Sequence, residues 1–281
     1  MSTQPITTVA IQGERGAFSH AAAIQIVGPS VRIVACRTFE DVFRAVASGD
    51  ADVGIVPVEN TLAGAVQRPM DLLASRDVLA VAETRVPIRL CLATPPETRL
   101  EDIETVASHP VALEQCLRFF DAHPAIQPHA VYDTAGSIRD LMAGGADYQA
   151  AIGSELAAEL YGARILQRAL EDDPANYTRF LAVTQDGEVM DPDRPKTSLA
   201  FTVPHVPGSL HRALGCFAEE AVDLARLESR PIPGHPWEYR FFADLRGSNG
   251  AAHDRAIAAL EAVSGNVRII GRYEEVPEGD S

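Results

Sequence analysis

The chain reads as an α/β protein with two α/β lobes beside a crevice, followed by a smaller βαββαβ module. Three observations carry this reading. Short apolar runs alternate with helical periods from Thr8 to Val183, the pattern of strands covered by helices. That pattern occurs twice, once on either side of a β-rich crossing from Val78 to Ala93. After the polar, Pro-bearing stretch 185–197 the order changes to β-α-β-β-α-β, the split-βαβ arrangement.

In the first lobe, Thr8–Ile11, Val31–Cys36 and Val53–Val58 read as strands. Ser19–Val27, Phe39–Ser48 and Ala63–Ala74 read as helices, with Phe39, Val42, Phe43 and Val46 on one face of the second. In the second lobe, Thr105–Ala107, Ala130–Tyr132, Ala150–Ile152 and Phe180–Val183 are strands, and Val111–Asp121, Ser137–Met142 and Glu155–Tyr161 are helices. In the last module, Ser198–Val203, Leu224–Leu227, Glu238–Leu245 and Val267–Gly271 are strands around helices Ser209–Glu220 and His253–Val263. The expected domains are therefore 1–187, a linker at 188–197, and 198–276. Ligands in open α/β sheets sit outside the carboxyl ends of strands, so the crevice between the lobes is the expected site.

Composition narrows the chemistry. With 24 basic and 39 acidic residues in 281, the formal net charge is -15. This argues against nucleic acid and against an anionic membrane surface as partners. Up to Pro195 there are 15 basic and 27 acidic residues, net -12; beyond it 9 and 12, net -3. Lys196 is the only lysine, and it lies beside a Pro-rich run, which leaves no Walker A loop and no Schiff-base site. Cys36, Cys91, Cys116 and Cys216 are scattered, with no zinc spacing, so no metal is expected. The first residues lack the charged and apolar regions of a signal peptide, and no run of 18 apolar residues occurs, so a cytoplasmic location is expected.

Four segments carry candidate chemistry. Gly13-Glu-Arg-Gly16 lies between a strand and a helix. It reads as a weak dinucleotide fingerprint, as a tight turn with Ser19 as N-cap, or as a helix start whose amides and hydroxyl hold a carboxylate. Pro57-Val-Glu-Asn-Thr61 ends a strand; either Asn60 or Thr61 caps the next helix, or Glu59 and Asn60 face the ligand. Ser108-His-Pro110 opens a helix in which Gln115, seven residues on, shares a face with Ser108. His109 is more often structural than catalytic in such a place, and no Ser-His-Asp order is evident. Asn176-Tyr-Thr-Arg-Phe180 pairs a hydroxyl with a guanidinium suited to carboxylates, or Arg179 forms an ion pair with the acids before it. Glu228-Ser-Arg-Pro231 by itself reads as a surface turn.

Together these segments resemble the prephenate dehydratase family across nearly the whole chain. Gly13–Ser19, Val56–Asn60, Ser108–Pro110 with Gln115-Cys116, and Asn176–Phe180 match the family's pieces in order. The last module looks like an ACT regulatory domain, with Pro207-Gly208-Ser209-Leu210 similar to its Gly-Ala-Leu segment and Glu228-Ser229-Arg230-Pro231 similar to its phenylalanine-binding turn. The first two lobes look like type 2 periplasmic-binding folds. The resemblance implies loss of CO2 and water from prephenate to give phenylpyruvate, without cofactor, in phenylalanine synthesis. It implies Thr178 as the residue most tied to activity, lined by Glu59, Asn60, Ser108 and Gln115. Arg179, Phe180, Ser19, Gly16 and Thr61 would bind substrate. Glu59, if buried, is the physically stronger proton source than a Thr hydroxyl. L-phenylalanine is the implied effector, and a homodimer or homotetramer the implied assembly. Glu14 stands where many members have Pro, Ala17 where many have Thr or Ser, and Ser209 replaces a usual Ala. Arogenate dehydratases share the same form, and a non-catalytic amino-acid sensor is the rival from another class.

Overall fold

The computed structural model describes residues 6–185, 194–232, 234–247 and 250–276. The chain forms two compact units: residues up to Pro69 with Thr84–Leu181, and Met70–Glu83 with the chain from Ala182 onward. In the first unit, β1 (Thr8–Gln12), α1 (Phe18–Val27), β2 (Arg32–Cys36), α2 (Phe39–Ser48) and β3 (Val53–Asn60) alternate as expected. β1 pairs in parallel with both β2 and β3. Thr38 starts α2 through a capping box with Asp41, and Val42, Phe43 and Val46 are buried on one face. β4 (Gly64–Ala65) folds back antiparallel on the end of β3. The strand thus runs two residues beyond the expected Val58, through Glu59 and Asn60.

The chain continues through α3 (Gln67–Ser75), β5 (Leu79–Pro87) and β6 (Cys91–Thr94). The second lobe follows with β7 (Thr105–Ser108), α4 (Pro110–Glu114), α5 (Leu117–Ala122) and β8 (Gln127–Ala130). It is completed by α6 (Thr134–Ala143), β9 (Ala150–Gly153), α7 (Glu155–Tyr161) and β10 (Arg164–Gln167). Its sheet has the order β10-β6-β9-β7-β8. Leu92, Val106 and Ile152 pack on one side with Leu113 and Phe119, while Ala93, Ala107 and Ala151 pack on the other with Ile138 and Ala157. Both faces of this mixed sheet are apolar because helices cover both. β11 (Tyr177–Thr184) returns to lie beside β3.

One expected helix is two. The helix read over 111–121 breaks at Gln115 (φ -87°, ψ 0°) and Cys116 (φ -126°, ψ 32°). Asp172 causes the break: its amide donates to the Gln115 carbonyl at 2.7 Å, and its carboxylate accepts from Leu117 N and Arg118 N at 2.9 and 3.1 Å. That carboxylate restarts the helix as an N-cap acceptor would.

The second unit contains β12 (Lys196–Thr202), α8 (Ser209–Glu219), β13 (Asp223–Pro231), β14 (Tyr239–Arg246), α9 (Gly250–Val263) and β15 (Asn266–Tyr273). The strands lie in the order β13-β14-β12-β15, with antiparallel neighbours. Leu199, Phe201, Phe241, Ala243 and Leu245 face α8 and α9, meeting Phe217, Ile257 and Leu260. The alternate positions Ser198 and Asp244 are hydrogen-bonded to one another, and Ser198 also meets the Tyr273 hydroxyl. Met70–Glu83 belongs here and not to the first unit, unlike the boundary read at residue 187. Three charged side chains hold it: Arg268 donates to the Leu73 carbonyl at 3.2 Å, Arg230 pairs with Asp71 at 3.2 Å, and Lys196 grips both oxygens of Glu83 at 3.0 Å. Of the expected linker, residues 188–193 lie outside the described residues, while Lys196 and Thr197 open β12. Glu228, Ser229, Arg230 and Pro231 extend β13 and form no turn. β13 is an edge strand, where a proline without an N–H is tolerated.

Two predictions follow from burial. The Lys196 and Glu83 side chains are 3% and 0% exposed. Lys196→Ala strands a buried carboxylate and should cost about 3–5 kcal/mol in denaturant titration. The double change Lys196→Met with Glu83→Gln should recover most of that loss. In the first unit, the Gly16 amide donates to His20 Nδ1 at 3.0 Å, which requires an unprotonated acceptor. Burial, and after it Arg15, holds the His20 ring below its ordinary value. The unfolded chain takes up this proton near about pH 6.5, the folded chain only at lower pH. Stability is therefore full above that value and falls as pH drops through it. His253, also held down by burial, acts with the same sign. The fall in Tm between about pH 7 and pH 5.5 should thus be shallower in His20→Gln than in the unchanged chain.

Candidate functional site

A cavity of about 340 Å³ lies between the two lobes of the first unit. One wall comes from the β1–α1 connection (Gln12, Ala17, Phe18, Ser19) and from Pro57 and Asn60 of β3. Thr178 and Phe180 of β11 line the same space. The other wall is His109, Val111, Ala112 and Gln115 around α4, with Tyr132, Asp133 and Thr134 at the start of α6. These sites lie at strand ends and helix starts because the lobes are built of β-α units, which gather their connections on one side.

Asn60 is the best-determined polar group. Its Oδ1 accepts from Leu62 N at 3.0 Å and Ala63 N at 2.8 Å, which fixes which end of the amide is nitrogen. Its Nδ2 then donates to Asn176 Oδ1 at 2.7 Å, Thr178 Oγ1 at 3.0 Å and the Tyr177 carbonyl at 3.1 Å. Thr178 Oγ1 is used as an acceptor, so its own O–H is left to be donated. Thr178 is 8% exposed and borders the cavity.

Strand alternation decides the neighbouring residues. Thr178 and Phe180 face the cavity, whereas Arg179 between them does not border it. Arg179 pairs with Glu59 at 3.6 Å. The Glu59 side chain is 41% exposed, so the burial that would make it a proton source is missing. Neither residue is among those lining the cavity. Arg179 thus forms an ion pair, with Glu59 as its partner among the described residues. Ser108 is fully buried and donates to the Ile152 carbonyl at 2.6 Å, a tie within the sheet. It does not share a helix face with Gln115, because Ser108 ends β7 and α4 begins only at Pro110. Thr61 donates to the Ala175 carbonyl at 2.8 Å and accepts from Tyr177 N at 3.0 Å, pinning the β3–β4 turn. His109 caps α4 through Val111 N and also lines the cavity. Burial pushes the Cys91 and Cys116 thiols up to about 12, so neither supplies a thiolate nucleophile.

The Gly13–Gly16 loop crosses from one lobe to the other. Both glycines have left-handed φ values, +94° and +92°. A Cβ on Gly16 would lie 2.6 Å from Ala157 Cα, and one on Gly13 would lie 2.5 Å from Asp133 Oδ2. Close approach, and not phosphate binding, explains both. Ser154 donates to the Gly16 carbonyl, Tyr161 donates to the Arg15 carbonyl at 2.9 Å, and Arg139 pairs with Glu14 at 2.7 Å. Ser19 lies in the first turn of α1 and is not its N-cap; that position is Ala17. The loop's role is therefore to bring Ala17, Phe18 and Ser19 to the cavity.

Asp133 escaped the sequence reading. It caps α6, accepting from Gly136 N at 2.6 Å, and it is 8% exposed. Burial pushes its carboxyl up, opposed by the Gly136 amide and reinforced by Glu14. The sequence signal was Asp133-Thr-Ala-Gly136, a side-chain acceptor three residues before a backbone donor.

In the second unit, Pro207, Ser209 and Leu210 line a cavity of about 380 Å³ with Trp237, Tyr239 and Phe241. Gly208 is the N-cap of α8. Glu228 pairs with Arg226, Arg230 with Asp71, and neither borders this cavity.

The prephenate dehydratase family model matches residues 9–188. A bifunctional chorismate mutase/prephenate dehydratase of Aquifex aeolicus is 34% identical over 97% of this chain and 75% of its own length. An arogenate dehydratase/prephenate dehydratase of Arabidopsis thaliana is 34% identical over 94% of this chain and 72% of its own. Among solved structures, GqqA, described as a novel type of quorum-quenching acylase, is 33% identical with a TM-score of 0.85 over 96% of this chain and 98% of that one. Prephenate dehydratase of Arthrobacter aurescens in complex with L-Phe is 31% identical, TM-score 0.87, over 96% and 90%. Among the described residues, no helix is long and apolar enough to cross a membrane. By residues matched, identity and coverage, the chain belongs to the prephenate dehydratase family.

Proposed function

We propose that the cavity between the lobes converts prephenate to phenylpyruvate, and the observation that carries this is the Asn60–Thr178 pair. The bond to the ring carboxylate breaks, and its electron pair enters the ring as CO2 leaves. The ring C–O bond breaks with it, and the departing hydroxide becomes water by taking up one proton. Aromatisation drives the step, so the protein must chiefly orient the substrate and stabilise the leaving oxygen. Thr178, its oxygen held by Asn60, aims its O–H at that oxygen. Gln12, Ser19, His109, Gln115 and Thr134 supply polar contacts for the carboxylates, and Phe18 and Phe180 supply apolar contact for the ring. Gly16, Thr61, Ser108, Glu59 and Arg179 act through the backbone that carries these groups.

An acylase activity, the one named for GqqA, fits the cavity less well. It needs a nucleophile paired with a base, whereas Ser108 is bonded to the Ile152 carbonyl and His109 caps a helix. Thr178→Val should lower kcat by about 10²–10⁴-fold, measured as phenylpyruvate formed. Glu59→Gln should stay within about tenfold, being outside the cavity. Near-normal turnover in Thr178→Val would remove the assignment.

The C-terminal βαββαβ module is read as an ACT domain that binds L-phenylalanine and lowers activity, acting in a homodimer or homotetramer in the cytoplasm. Its support is the split-βαβ strand order, the cavity beside Pro207–Leu210, and the L-Phe complex of the Arthrobacter relative. The expected Glu228–Pro231 contribution would come from the edge strand, beyond this cavity. Trp237, the only tryptophan, is 75% exposed and lines that cavity. L-phenylalanine should therefore change its fluorescence and reduce turnover. By linkage, a substrate analogue should weaken phenylalanine binding by the factor that phenylalanine weakens the analogue's. Saturating phenylalanine that alters neither signal would exclude the effector.

A further inference from the structure

Asn176 carries a hydrogen-bond donor that the fold does not use. Asn60 Oδ1 accepts from Leu62 N and Ala63 N, so the Asn60 nitrogen is the end that faces Asn176. The Asn176 atom that meets it at 2.7 Å must then be an oxygen, and the Asn176 nitrogen lies at the other end of its amide. Asn176 is 0% exposed, and its Nδ2 has no hydrogen-bond partner among the described residues. A buried amide nitrogen without an acceptor is costly, and folded proteins hold few of them.

The surroundings of this nitrogen point to a ligand. Asn176 borders a second cavity of about 300 Å³, and Ala63, Val111 and Gln115 line both this space and the one that Thr178 borders. Asn176 and Thr178 both meet Asn60 Nδ2, so their side chains lie on one side of the chain. They are two residues apart, about 6.6 Å along an extended backbone. A ring with a hydroxyl at one end and a side chain at the other bridges such a distance. The second cavity also borders Glu114, Glu171, Asp172 and Asp173. Glu114 is exposed, and the other three accept from Leu90 N, from Leu117 N and Arg118 N, and from Ala175 N. Their charge disfavours a free anion, so an acceptor for Asn176 has to arrive tethered to a ring bound next door.

Prephenate carries acceptors of two kinds. Its ring carboxylate gives up its charge as CO2 departs, and a donor held on it would oppose the step, because that contact weakens in the transition state. Its keto-acid side chain keeps its charge and passes intact into phenylpyruvate. We propose that Asn176 Nδ2 is a substrate-binding group that donates to an oxygen of this keto-acid side chain. One strand then holds both ends of the substrate, Thr178 at the leaving oxygen and Asn176 at the part that does not react. The inference rests on the dehydratase reading and adds to it an anchor for the side chain. A contact equal in ground and transition states acts on KM and not on kcat.

The test uses the full chain with nitrogen-15 in its asparagines, of which there are four, so the side-chain NH2 spectrum is sparse. Phenylpyruvate at inhibiting concentrations should move the Asn176 NH2 resonance more than those of the asparagines outside the site. Asn176→Asp keeps an acceptor for Asn60 and removes the donor. It should raise KM for prephenate and Ki for phenylpyruvate together, each by at least about tenfold, with kcat held within about threefold. An Asn176 resonance that phenylpyruvate leaves in place while it inhibits overturns the inference and gives this nitrogen to water. Loss of kcat in Asn176→Asp with both constants within about threefold also overturns it, and makes Asn176 a positioning residue for Asn60. Should that variant not fold, the resonance is assigned through its own backbone amide, and the unchanged chain decides alone. If the unchanged chain forms no phenylpyruvate from prephenate, the dehydratase reading itself falls, and this inference with it.

Discussion

The side-chain amide of Asn60 is the constraint on which the site depends. A primary amide has two donors and one acceptor group, and here the acceptor is engaged by the adjacent turn and the donors by a strand more than a hundred residues away. The acceptor is satisfied by the β3–β4 turn, so the nitrogen can only point at β11. Two strands separated by more than a hundred residues are thereby keyed to each other, and the hydroxyl of Thr178 has its direction set before any ligand arrives. Thr61 repeats the link one residue on, exchanging hydrogen bonds with the backbone of Ala175 and Tyr177. Such preorganisation lowers the barrier because no reorientation is needed as charge develops on the leaving oxygen. A weak acid such as threonine is useful in this role, since a donated hydrogen bond requires no complete proton transfer.

The alternating strands and helices were legible in the sequence because burial imposes a period on the apolar residues. Thr178, Asn60, Gln115 and Ser19 were legible as a group and do border one cavity. Glu59, Arg179, Ser108 and Thr61 were read with them because they lie in the same motifs. Motif membership does not separate the two faces of a strand. Along β11 the face changes at every residue, so Thr178 and Arg179 point to opposite sides. Conversely, Asp133 has no motif partner; its place follows from the fold, which brings the start of α6 against the β1–α1 loop. The break at Gln115 was equally hidden, because the residue that makes it, Asp172, comes from a connection more than fifty positions away. The assignment of Met70–Glu83 to the second unit also depends on distant partners, Arg230, Arg268 and Lys196.

The charge balance connects these observations. An acidic first domain acting on an anionic substrate calls for a cationic contact in the crevice, and the sequence offers Arg179 for it. Its guanidinium is used instead on Glu59, while the cavity is lined by neutral donors and one acid. Neutral donors bind a carboxylate with less desolvation than a buried cation would suffer, since a cation must give up a tightly held hydration shell. They also carry no net field that would hold the product after the ring has become aromatic.

Closure of the cavity uses the same economy of charge. The Gly13–Gly16 loop is held across the lobes by one ion pair, Glu14 with Arg139, and by hydrogen bonds to Ser154 and Tyr161. Glu14 holds the loop by a side-chain contact. Both partners are partly exposed, at 27% and 37% for the side chains, so the pair is screened and individually weak. The glycines make the loop close-fitting, so its hold on the opposite lobe rests on close backbone approach and hydrogen bonds more than on this ion pair.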